Sequence, residues 1–215
     1  MRFSNVLPSE KIVDAIIQVH DLESINEEFF KLNKQITHLE LNFSELITDM
    51  SCILKYLVNV TDLSIEGFSP SYTVAVDFTS ASSAIKNLTL INCVINGHSL
   101  SNLQLDRLSI CNCNVSAAEK YNLDDFVSKL NLIELHDLSD DANTLRNIHH
   151  VTHTDDIGYL SFVKSNRLKK LTIQFANHSH KFMYPGMLEL ITITNTNNAN
   201  VIIKCNVDTV VMLLT

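Results

Sequence analysis

The sequence predicts an α/β solenoid, with parallel strands on one face, helices and irregular connectors on the other, and a short helical cap at the N-terminus. Two observations carry this. A phrase of two apolar residues flanking one other residue starts at 39, 63, 88, 108, 133, 151, 171, 191 and 210, with His153 replacing the second apolar residue at 151, so the steps are 24, 25, 20, 25, 18, 20, 20 and 19 residues. An apolar residue also stands three positions before each phrase: Ile36, Val60, Ile85, Leu105, Leu130, Ile148, Leu168, Leu188 and Val207. Repetition at this spacing marks units that cannot bury their own apolar faces and must stack on their neighbours. With 46% hydrophobic residues in 215, the chain has the side chains for a continuous core.

Taken in order, residues 1–35 read as the cap. Ser9 is placed to start a helix carrying Ile12, Val13, Ile16, Ile17 and Val19, and Asp21 a second carrying Leu22, Ile25, Phe29 and Leu32. Residues 36–215 then hold about nine units. Each phrase is a short strand, since alternation sends its two apolar side chains to one face and the middle residue to the other. Helical spacing in the connectors predicts a helix from Ser44 to Asn59, another over 117–131 and a third over 155–166. The 66–84 connector, with Ser69-Pro70-Ser71 and alternating Thr73 to Phe78, reads as a turn and an extended segment. Residues 176–187, holding Pro185-Gly186, read as an irregular crossing.

From about residue 36 onward the pattern resembles the leucine-rich repeat superfamily. Ile85-Lys-Asn-Leu-Thr-Leu-Ile-Asn-Cys93 and Leu105-Asp-Arg-Leu-Ser-Ile-Cys-Asn-Cys113 are similar to its cysteine-containing subtype, with Cys three residues past the strand. In many family members that subtype follows an F-box, and Val6-Leu7-Pro8-Ser9-Glu10-Lys11-Ile12-Val13-Asp14-Ala15-Ile16-Ile17 is faintly similar to the start of one. The resemblance implies a protein-recognition scaffold. Its alternative implication is a substrate-recognition adaptor of an SCF-type ubiquitin ligase, with residues 6–32 as the docking element.

A partner would meet the face of the strands opposite the core. The middle positions are Glu40, Ser64, Thr89, Ser109, Glu134, Thr152, Thr172, Thr192 and Val211, and His38, Asp62, Glu66, Arg107, His136, His150, Lys170 and Gln174 flank them. Thr and Ser also suit any solvent-facing strand. Acidic residues crowd the first two units while Arg107 and Lys170 come later, which would suit a partner of opposite polarity along its length. The last phrase, Val210-Val211-Met212, is among the most apolar, and predicts an edge that pairs with a second copy or a partner strand.

The other classes are disfavoured. A formal charge of -8, from 16 Lys and Arg against 24 Asp and Glu, argues against nucleic acid or an anionic membrane surface. Apolar runs are far short of the ~20 residues that span a bilayer. Cys52, Cys93, Cys111, Cys113 and Cys205 are an odd set in a chain too large to need stapling, so reduced, mostly buried thiols and an intracellular setting, cytoplasmic or nuclear, are expected. His149, His150 and His153 fall on alternating faces and cannot converge on a metal from a regular strand. With no acid, base and nucleophile on one face, neither an enzyme nor a cofactor is expected.

Overall fold

The alternation read from the phrases becomes alternating burial in a computed structural model, which describes residues 14–20, 22–44, 49–116, 123–139, 159–161, 167–175, 180–183, 188–195, 201–204 and 208–214. Strand β2 (His38–Phe43), β3 (Asp62–Glu66) and β5 (Asn87–Ile91) each bury every second residue. The inward pairs Leu39 and Leu41, Leu63 and Ile65, and Leu88 and Leu90 are all core residues. The fold is α/β, with parallel strands and few, short helices. It divides into two compact units, residues 1–104 and 105–215.

In the first unit the strand outside β2 is β1 (Asp14–Val19), parallel and in register, with Ala15 opposite Leu39 and Ile17 opposite Leu41. The helix expected over these residues is therefore corrected to a strand. Ile16, Ile17 and Val19 are β-branched and suit a pleated surface better than a helix. The spacing Ile12-x-x-Ala15-x-Ile17 repeats the phrase of the later strands, with alanine in place of a large aliphatic. Of the segment 6–17 expected to resemble the start of an F-box, residues 6–13, Ser9 among them, lie outside the described residues, and residues 14–17 belong to β1. The second expected helix is a 3-10 turn (Leu22–Ile25) followed by α1 (Glu27–Leu32), capped by the Asn26 side chain, which accepts from Phe29 N at 3.1 Å. α1 buries Phe29 and Phe30 edge to face.

Among the described residues of the helix expected from Ser44 to Asn59, only α2 (Ser51–Leu54) is helical, and residues 45–48 lie outside the described ones. Ser44 Oγ donates to Val19 O at 3.4 Å, and Asp49 bridges to Ala75. The extended segment in the 66–84 connector is β4 (Val74–Val76), which pairs in parallel with β6 (Cys93–Asn96) as a second, rear layer. Asp77, Asn96 and Asp49 form a set of turn caps there: Asp77 accepts from Thr79 N at 2.8 Å, Asn96 from His98 N at 3.2 Å and Asp49 from Ser51 N at 2.8 Å. Asn96 Nδ2 also donates to Asp77 Oδ2 at 2.9 Å. These donors, led by Thr79, hold the Asp77 carboxyl below its ordinary value. The short helix α3 (Gly97–Leu100) follows.

The second unit holds β7 (Arg107–Cys111), β8 (Asn114–Ser116), α4 (Leu123–Leu130), β9 (Glu134–Asp137), β10 (Tyr159–Ser161), β11 (Lys170–Phe175), β12 (His180–Met183), β13 (Leu190–Asn195), β14 (Val201–Lys204) and β15 (Val210–Leu214). Its front sheet runs β7, β9, β11, β13, β15, all parallel. Helix α4 lies where the connector periodicity put one, ending at Asn131 with φ of 54°, a left-handed position that asparagine tolerates. β10, β12 and β14 pair in a rear layer. The helix expected over 155–166 thus contains a strand, and so does the crossing expected to be irregular over 176–187.

Two register expectations are corrected. In β9 the inward pair is Leu135 and Asp137, set opposite Leu108 and Ile110, so His136 and not Glu134 takes the middle position. The expected register lies two residues early because Asp137 breaks the apolar phrase, and a shift of two keeps every side chain on its own face. In β15, Val211 and Leu213 align with Ile191 and Ile193, so Met212 takes the middle position expected for Val211. The phrase at 151, with His150, Thr152 and His153, lies outside the described residues; β9 pairs directly with β11, Glu134 opposite Lys170.

Candidate functional site

On the first unit, residues of the four front strands stand in rows across the outward face. Asp14, His38, Asp62 and Asn87 form the first row, Ile16, Glu40, Ser64 and Thr89 the second, and Gln18, Asn42, Glu66 and Ile91 the third. In the first row the His38 imidazole lies between two carboxylates, with Nδ1 3.1 Å from Asp14 and Nε2 3.3 Å from Asp62. Asp62 also accepts from Thr61 Oγ1 at 2.7 Å and Asn87 Nδ2 at 2.6 Å. Below it, Asn42 Nδ2 donates to Glu40 Oε1 at 2.7 Å. Four of these twelve face residues are acidic and none is Lys or Arg.

The second unit balances its charge internally. Arg107, Glu134 and Lys170 stand in one row, and Lys170 Nζ donates to Glu134 Oε1 at 2.6 Å. That hydrogen bond is the main reason the Glu134 carboxyl sits below its ordinary value. His136, next to it, is pushed below its ordinary value chiefly by burial; the Arg107 charge adds to the shift, while Glu134, 3.5 Å from Nε2, opposes it. Along one side, Arg167 pairs with Asp106 at 2.9 Å and Lys169 with Glu189 at 2.8 Å. The middle row runs Ser109, His136, Thr172, Thr192 and Met212.

The expected site residues fare unevenly. His38, Glu66, Arg107 and Lys170 are exposed, and Glu40, Asp62, Ser64, Glu134, Thr172 and Thr192 are half-buried on the outward face. Ser109, expected outside, is 5% exposed; its small side chain stands beside the larger His136 imidazole. His150 and Thr152 lie outside the described residues. Sequence reasoning missed Asp14, because the strand carrying it was read as a helix.

Among the described residues no group of three His, Cys, Asp or Glu is placed to hold a metal ion, and no helix is long and apolar enough to cross a membrane. No disulfide joins Cys52, Cys93, Cys111 or Cys113. Cys93 and Cys113 are buried, each donating to the carbonyl two residues earlier, Ile91 at 3.2 Å and Cys111 at 3.3 Å. No protein-family model and no curated protein matches this chain.

Proposed function

We propose that this chain is a leucine-rich-repeat solenoid acting as a non-enzymatic protein-protein interaction scaffold, which meets its partner with the outward face of its front strands. The observation that carries the reading is a strand start repeated through both units. Thr61 and Asp62 both donate to Thr37 O, Lys86 and Asn87 to Thr61 O, Ile133 and Glu134 to Asp106 O, Lys169 and Lys170 to Ile133 O, and Glu189 and Leu190 to Lys169 O. Five strands, β3 and β5 in the first unit and β9, β11 and β13 in the second, are therefore hung on the strand before at the same offset, with inward pairs that are aliphatic except for Asp137 of β9. Such a ladder offers a long polar surface that several strands share.

The test is capture of a partner on the immobilised chain, followed by comparison of variants. Ser64→Arg and Thr172→Arg on the face should each reduce capture, while Lys55→Glu, on the exposed end of α2, should not. Capture reduced only by Lys55→Glu would move the binding surface to the other side.

The apolar end supports an association surface within the same reading. Val210, Val211, Met212, Leu213 and Leu214 are all exposed, on a strand that continues the sheet from β13. Pairing with a second copy or a partner strand would cover them. Light scattering should show mass rising with concentration, and a strictly monomeric protein at high concentration would refute it.

A further inference from the structure

We infer that the first unit's outward face, together with the turn at its rim, binds an extended protein segment bearing arginine or lysine side chains; this rests on the strand-face reading above. The turn lies just past Glu66, the exposed last residue of β3. It carries Phe68 and Tyr72, which are 52% and 51% exposed with ring centroids 6.2 Å apart. Two large apolar side chains held together in water are a feature of binding anchors, since such rings supply contact area at low entropic cost.

The turn is braced, so the pair is presented in a defined place. Tyr72 N donates to Ser69 O at 3.0 Å across Pro70, and Gly67 N donates to Ile91 O at 2.8 Å. Gly67 is needed for that approach, because a Cβ there would stand 2.3 Å from the Asn92 carbonyl oxygen. Val74 N donates to the same carbonyl at 3.2 Å on the far side of the turn.

Charge selects the occupant. Beside the turn lies Glu66, and Glu40 and Asp62 follow toward the far end of the same face, whose residues include no Lys or Arg. Asn42 Oδ1, between Glu40 and Glu66 on the same strands, is a buried acceptor with no donor. A guanidinium fits this set: it stacks on aromatic faces, pairs with carboxylates and brings several N–H donors at once. In the second unit the acids on the face are already taken up by its own cations, so the preference belongs to the first.

The experiment measures fluorescence anisotropy of a labelled ten-residue peptide alternating arginine and threonine, with the full chain titrated in, against a glutamate-threonine counterpart. The arginine peptide should bind and the glutamate peptide should not. Phe68→Ala/Tyr72→Ala and Glu66→Lys should each weaken binding about tenfold, whereas Glu28→Lys, the same charge change on exposed α1, should shift it less than about twofold. Unchanged far-ultraviolet circular dichroism confirms that the variants are folded. Equal losses for Glu66→Lys and Glu28→Lys would reduce the effect to diffuse attraction and overturn the inference. So would failure of the arginine peptide to bind, while a captured partner still sensitive to Ser64→Arg or Thr172→Arg would leave the strand-face reading standing.

Discussion

In the first unit the row that opens the strands runs Asp14, His38, Asp62, Asn87, whereas in the second it places Glu134 between Arg107 and Lys170. Both rows sit at the same offset from their inward pairs, so the backbone plan does not set the difference. In the second row Lys170 pairs with Glu134 and Arg107 leaves one positive charge over; the pair adds little to stability, because half-exposed ion pairs are worth about 0.2–1 kcal/mol. The first unit's outward face keeps its negative charge yet avoids direct repulsion. Each acid is opposite a residue of another kind: Asp62 faces His38 and Asn87, Glu40 faces Ile16 and Ser64, and Glu66 faces Asn42 and Ile91. Like charges directly opposite would destabilise the sheet. One scaffold thus carries a closed electrostatic surface and an open one.

The largest effects should come from what the units share. Leu90→Ala in the first and Leu171→Ala in the second remove fully buried inward side chains, and each should cost about 2–5 kcal/mol in chemical denaturation. Thr172→Ala, on the outward face, should stay within about 0.5 kcal/mol. A Thr172 effect as large as that of Leu171 would break the assignment of faces.

Gly67→Ala comes next and should affect the first unit. The added carbon meets backbone and not a movable side chain, so a cost of about 1–3 kcal/mol is expected. Hydrogen exchange should show the loss concentrated over 62–76; a neutral substitution would contradict the close approach.

Much of this fold could be read from the sequence, and the misreadings have specific causes. Eight inward aliphatics, Leu88, Leu90, Leu108, Ile110, Leu171, Ile173, Ile191 and Ile193, are buried as the phrase requires. β1 was missed because Ile12, Ile16 and Val19 satisfy helical spacing as well as strand alternation, and Ala15 weakens the phrase. β9 was read two residues early because its inward pair contains the fully buried Asp137, whose carboxylate accepts from Ser139 N at 3.0 Å. The candidate face was visible as a column of residue types. Its partition into paired and unpaired charge was not, since Lys170 and Glu134 are 36 residues apart in the chain and meet only through the direct pairing of β9 with β11.

The smallest effects sharpen the electrostatic contrast. Lys170→Gln should cost about 0.2–1 kcal/mol and let Glu134 titrate closer to its ordinary value, observable by carboxyl NMR. Stability should fall in two stages on acidification. His136 has a folded value below 6.5, so its contribution is complete above that pH and declines as the unfolded chain takes up the proton first. Glu134 and Asp77 lie below 4.5 and 3.8, so theirs are complete above those values and are lost as pH falls through the lower folded ones. Stability rising between pH 6.5 and 5 in the wild type but not in His136→Gln would reverse the sign assigned to that residue.

The central claim, that the outward strand face is the binding surface, is tested most directly by hydrogen–deuterium exchange on the chain alone and in complex with its captured partner. The account predicts new protection at face strands, 38–42 and 62–66 or 134–136 and 170–174, with α2 and α4 unchanged. Protection confined to 51–57 and 123–130, with the strands unaltered, would contradict it.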